Sequence, residues 1–190
     1  SEPVRYPCYN LNMVWRAYSR KYLAEFVYGA IDGTVTTFAI VSGVIGAALS
    51  PAIVLVLGLA NVLADGFSMA SSNFLSERSA RALRHGIDSS VASKAPFKTA
   101  FVTFCAFVVV GFVPLLPFAS AFFYPALAAR QFELSMALTA CAFVCIGAAR
   151  GAVAGRSVAT SALETLLVGG FAAFISFAVG YLLRGIASAV

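Results

Sequence analysis

Apolar positions gather along this chain into five blocks, each close to the ~20 residues that an α-helix needs to cross a bilayer. They fall at about 24–48, 52–77, 98–120, 132–150 and 161–184. Polar or turn-forming joints separate them: Leu49, Ser50 and Pro51; the basic stretch 78–97; the aromatic, proline-containing stretch 117–130; and residues 151–160. The expected fold class is all-α, a polytopic membrane protein with five transmembrane helices in one bundle. Three parts follow: an N-terminal segment over 1–23, a transmembrane domain over 24–184 and a short tail over 185–190. Within the first part, residues 11–24 mix Trp15, Tyr18 and Tyr22 with Arg16, Arg20 and Lys21. That mixture predicts an interfacial helix at headgroup level, leading into the first span. Pro114 and Pro117 predict an irregular end to the third span. Ser161 and Glu164 have the capping-box spacing and predict the start of the fifth. No internal repeat is evident.

Composition agrees with the pattern. The 190 residues are 61% hydrophobic and 11% charged, where soluble domains carry about 25% charged residues. The net charge of +5 raises nucleic acid as a partner. The basic residues lie beside apolar blocks, however, so anionic lipid headgroups are the expected partner and nucleic acid is not. Arg5, Arg16, Arg20, Lys21, Arg78, Arg81, Arg84, Lys94, Lys98, Arg150 and Arg156 all fall on one side of a five-span topology, leaving Arg130 and Arg184 on the other. The positive-inside rule then predicts a cytoplasmic N-terminus and a C-terminus on the opposite side. No apolar h-region precedes residue 24, so no signal peptide is expected, and Ser1 in place of Met points to removal of an upstream residue or tag.

Chemistry is concentrated in the first two spans, where Asp32 and Asp65 lie deep in apolar sequence. Ionisable residues at such depth are costly and point to function. Asp32 stands eleven residues beyond Lys21 and Asp65 twelve before Glu77, so both lie roughly 16–18 Å from the same boundary at 1.5 Å per residue. On helices, Glu25, Gly29, Asp32 and Thr36 share one stripe, while Asn61, Asp65, Met69 and Asn73 form a row at i+4 spacing beside Ala60, Ala64, Ser68 and Ser72. Two carboxylates with amide, hydroxyl and thioether groups suit a divalent metal, and the Met69 sulfur favours later first-row ions.

Other readings of these residues remain open. Asp32 and Gly33 also suit a turn that breaks the first span, with Asp65 as a polar strut. Asn61 and Asn73 suit interhelical hydrogen bonds as well as ligation, and Met69 suits packing as well as ligation. Cys141 and Cys145, one turn apart, suit packing or a soft ion. Arg78, Arg81, Arg84 and His85 read as a solvated, lipid-facing cluster. The single His85 excludes a His-rich zinc site. The four cysteines form no CxxC pair. There is no phosphate loop, nucleophile constellation or HExxH motif, so neither an enzyme nor a cofactor is expected.

The runs YGAIDGTVTTFAIVSGVIGAALSP (28–51) and LGLANVLADGFSMASSNFLSERS (57–79) resemble the vacuolar iron transporter family. PLLPF (114–118), GAARGAVAGRS (147–157) and ALETLLVGG (162–170) fit its last three spans. The resemblance implies a five-helix protomer, a homodimer with the ion path between the two first helices, and export of Fe(II), often also Mn(II), from the cytosol in exchange for protons. It implies that Asp32 is the central metal-binding acid, Met69 the sulfur ligand and Glu25 the acid two turns nearer the cytosol. Asn61 stands where many plant members have Glu, and Asp65 adds an acid one turn later. Lys21 replaces an acid found in some members. The link 78–97, whose only acid is Asp88, is too short for the acidic metal-collecting domain of fuller members, which implies a short form. Two rival expectations remain: a non-transporting scaffold or lipid-binding protein, and a transporter specific for Mn(II) or another divalent cation.

Overall fold

A computed structural model describes residues 11–85 and 94–187. Its regular elements are all helical: α1 (Leu11–Gly46), α2 (Pro51–His85), α3 (Pro96–Gly111), α4 (Leu116–Phe123), α5 (Gln131–Ala154), α6 (Val158–Leu182) and α7 (Arg184–Ala187). Turns of 3-10 helix stand at Val113–Leu115 and Pro125–Arg130. Five stretches are long and apolar enough to cross a membrane: Lys21–Gly46, Pro51–Leu83, Pro96–Phe123, Pro125–Ala154 and Val158–Leu182. The protein is therefore an all-helical integral membrane protein. Arg5, Cys8, Asp88 and residues 188–190 lie outside the described residues.

Several element ends differ from expectation, each for a local reason. The segment expected as an interfacial helix is continuous with the first span, because no Gly or Pro interrupts the chain from Leu11 to Tyr28. The second helix continues past Glu77 to His85 through Ala, Arg and Leu, which are strong helix formers. The third span does break at its prolines: α3 stops at Gly111, a 3-10 turn carries Pro114, and α4 resumes at Leu116. Ser135 Oγ donates to the Pro114 carbonyl at 2.6 Å, satisfying a backbone acceptor at the break, as an apolar environment requires.

The capping box does not form. The last span begins at Val158, with Ser157 as its cap: Ser157 Oγ accepts from the Thr160 amide at 3.4 Å. Ser161 is buried against Gly147 and Gly151 of α5. Glu164 is drawn to two guanidiniums instead, Arg150 at 2.6 Å and Arg156 at 3.5 Å. Upstream, Gly155 ends α5 with φ +66, the left-handed conformation that glycine adopts at least cost.

The central element is α1, which touches α2, α3, α5 and α6. Phe38, Val41 and Val44 of α1 join Val54 and Val62 of α2, Leu115 and Phe118 in one buried cluster. Val27 and Ala30 of α1 form a second buried cluster with Ala106 and Ile146, and at several glycines the helices meet backbone to backbone. A Cβ on Gly33 would stand 2.6 Å from the Phe107 carbonyl oxygen of α3, and a Cβ on Gly180 of α6 would collide with the Gly43 carbonyl. Small residues let membrane helices approach this closely. Several buried hydroxyls are satisfied within their own helices: Thr34 donates to Ala30 O at 2.7 Å, Thr103 to Thr99 O at 3.0 Å and Thr139 to Ser135 O at 2.6 Å.

Candidate metal site

Asp32 is half-buried on α1 and lines a groove of about 540 Å³ with Leu23, Tyr28 and Ile31 of α1 and Arg150 of α5. One turn on, Thr36 Oγ1 donates to the Asp32 carbonyl at 2.8 Å and accepts from Asn61 Nδ2 at 3.3 Å. This bond ties α2 to α1 beside the aspartate. A turn further along α2, Asp65 is exposed on the protomer surface and lies within electrostatic reach of Asp32. Like charges within reach of each other repel, and a divalent cation between two carboxylates would relieve that repulsion. Met69, another turn on, is half-buried on the same helix.

The structure thus brings Asp32, Asp65 and Asn61 to one level, and it divides the expected first-span stripe. Gly29 turns to α3, where its hydrogen faces the Thr103 carbonyl. Glu25 is held near the start of the first span: its Oε1 accepts from Lys94 Nζ at 2.6 Å. Asn73 leaves the α2 row as well, donating to Thr103 Oγ1 at 2.6 Å. Both asparagines therefore make interhelical hydrogen bonds through their amide nitrogens. Among the described residues, no three His, Cys, Asp or Glu side chains gather into a group able to hold a metal. Cys141 and Cys145 are exposed on α5, so they are not core residues.

Lys94 is the residue that sequence reasoning missed. Its main-chain N–H donates to Glu77 Oε1 at 3.2 Å, and its carbonyl accepts from Arg81 Nη2 at 2.9 Å. The latter contact also removes Arg81 from the expected lipid-facing cluster. The signal that finds Lys94 is level: it sits just before the third span begins at Pro96, and Glu25 sits just after the first begins at Lys21.

Comparison with known proteins decides the family. The VIT family profile matches residues 23–87 and 82–181, which together reach into all five spans. The chain belongs to the VIT family. Within that family, 58 residues are 48% identical to a protein named vacuolar iron transporter from Toxoplasma gondii (strain ATCC 50861 / VEG), covering 30% of this chain and 19% of that one. Proteins of the same name from Plasmodium berghei (strain Anka) and Plasmodium falciparum (isolate 3D7) are 40% identical over 57 residues and 39% identical over 59. Those matches cover 30% and 31% of this chain, and 21% and 22% of the relatives. Each match therefore spans about a fifth of the relative's length. The VIT-family assignment agrees with the resemblance carried by the first two spans.

Proposed function

We propose that this VIT-family chain is a membrane transporter that moves a divalent first-row metal, Fe(II) or Mn(II), out of the cytosol in exchange for protons. The observation that carries this reading is the Thr36–Asn61 bond, which fastens the α2 face bearing Asp65 to α1 one turn from Asp32. The names of the relatives support iron as the cargo. Metal is substrate here, and the mechanism uses no resident cofactor.

Metal ligation requires ionised carboxylates, so loading the site releases protons and protonation releases metal. Access from one side at a time turns that competition into exchange. In this reading Asp32, Asp65 and Met69 hold the ion, Asn61 adds an oxygen or orients the pair, and Glu25 is the entry acid. A homodimer completes the site. One protomer gathers no three-ligand group among its described residues, and Asp65 is exposed on a surface that hydrocarbon would penalise. Pairing two copies along α1 and α2 covers that acid and doubles the ligand set. Charge asymmetry supports an N-terminus in the cytosol and a C-terminus on the opposite side.

The test is uptake of Fe(II) and Mn(II) by proteoliposomes under an imposed pH gradient. Wild type accumulates metal and dissipates the gradient, and Asp32→Ala does neither. Uptake by Asp32→Ala equal to wild type would reject the site. Failure of wild type to bind or move any divalent ion would favour a scaffold or lipid-binding role.

A further inference from the structure

We infer that Lys94 is a built-in counter-cation for Glu25, which an incoming divalent ion must displace before it enters. The inference deepens the transport reading and rests on it for the direction of entry. The ion pair itself stands on geometry.

Three contacts hold Lys94 in place. Its main chain is clamped between Glu77 and Arg81 of α2, and its side chain crosses to Glu25 of α1 with Nζ 2.6 Å from Oε1. The ammonium is therefore delivered to one carboxylate by a fixed backbone rather than ranging through solvent. Glu25 is 13% exposed, against 33% for Lys94, so the acid is the enclosed partner and the lysine the one with room to leave.

The pair is also incomplete. Glu25 Oε2 is buried and meets no hydrogen-bond donor among the described residues. A carboxylate accepts at both oxygens, and leaving one orphaned in a buried setting is costly. A lysine ammonium is a point charge that here serves one oxygen, whereas a divalent cation can be chelated by both. The exchange replaces a monodentate, singly charged partner with a potentially bidentate, doubly charged one. Monovalent ions gain little by the same replacement, so Lys94 sets a charge threshold at the entry acid.

The experiment uses wild-type protein in liposomes and an amine-acylating reagent, with modification of Lys94 read by mass spectrometry while Mn(II) is titrated. Mn(II) is expected to speed Lys94 modification, and K⁺ at matched ionic strength is not. In Glu25→Gln, modification is fast and indifferent to Mn(II). A paired kinetic test follows transport: Lys94→Gln lowers the KM for Mn(II) by about fivefold, the scale of a partly exposed ion pair, with kcat little changed. The same substitution in a Glu25→Gln background leaves KM where it was. Lys94 modification that ignores Mn(II), or an effect of Lys94→Gln that persists without Glu25, would overturn the proposal. Mn(II)-dependent modification in vesicles that move no metal would instead overturn the transport reading and leave the exchange at Glu25 standing.

Discussion

Asn61 Nδ2 reaches Thr36 Oγ1 at 3.3 Å, and the same hydroxyl donates to the Asp32 carbonyl. A single threonine thus links the backbone of the α1 aspartate to the α2 face that carries Asp65. Interhelical hydrogen bonds of this kind contribute about 0.6 kcal/mol on average in membrane proteins. A double-mutant cycle with Thr36→Val and Asn61→Leu, read by unfolding in detergent, is expected to show coupling of that order. Coupling indistinguishable from zero would mean that the two helices are not fastened here.

Gly33 meets α3 at backbone distance, with the Phe107 carbonyl 2.6 Å from where a Cβ would stand. The obstacle is main chain, so no side chain can rotate away. Gly33→Ala is expected to cost about 1–3 kcal/mol, the usual range for overpacking, and to lower the melting temperature in detergent. Gly170→Ala is the control: a Cβ there meets nothing within 4 Å, and its melting temperature should match wild type.

Met69 offers the soft donor on the α2 row. Replacing thioether with methyl should weaken the softer, later ion more than Mn(II), which accepts an oxygen shell readily. In liposomes offered both ions, Met69→Ala is expected to shift transport preference from Fe(II) toward Mn(II). An unchanged ratio would make Met69 a packing residue.

In the proposed exchange, protons and metal compete for the same carboxylates, so acid should oppose loading. For each proton released on binding, apparent affinity falls by about tenfold per pH unit over the range where the site titrates. The KM for Mn(II) on the entry side should therefore rise as pH falls. Asp65→Asn, with one carboxylate fewer to discharge, should show a shallower slope. Parallel slopes in the two proteins would remove Asp65 from the exchange.

Much of this arrangement was legible in sequence because membrane helices obey few rules. Five apolar blocks give five spans, and counting residues from the basic boundary puts Asp32 and Asp65 at one depth. The proline break was equally local and fell where Pro114 and Pro117 predicted. What stayed hidden was long-range or rotational. Lys94 and Glu25 are 69 positions apart, and only their shared level at the starts of the third and first spans links them. The stripe of Glu25, Gly29, Asp32 and Thr36 was correct as a helical face, but a face about 100° wide borders more than one neighbour. Gly29 went to α3, and Thr36 went to α2. Glu164 misled for the same reason: its spacing from Ser161 is that of a cap, yet two arginines across the turn offered it full charges.

The glycine contacts of α1 carry a kinematic consequence. Where backbones touch at Gly33 and at Gly43 opposite Gly180, no layer of side chains remains to act as a bearing. At these points α1, α3 and α6 form one interlocked block, and sliding there would drive carbonyls into main chain. α2 meets α1 through Val54, Val62 and Asn61, whose side chains can re-seat. If Asp32 is to face first one side of the membrane and then the other, the shear plane lies along α2 or between two copies of the chain. The aspartate itself travels with the block.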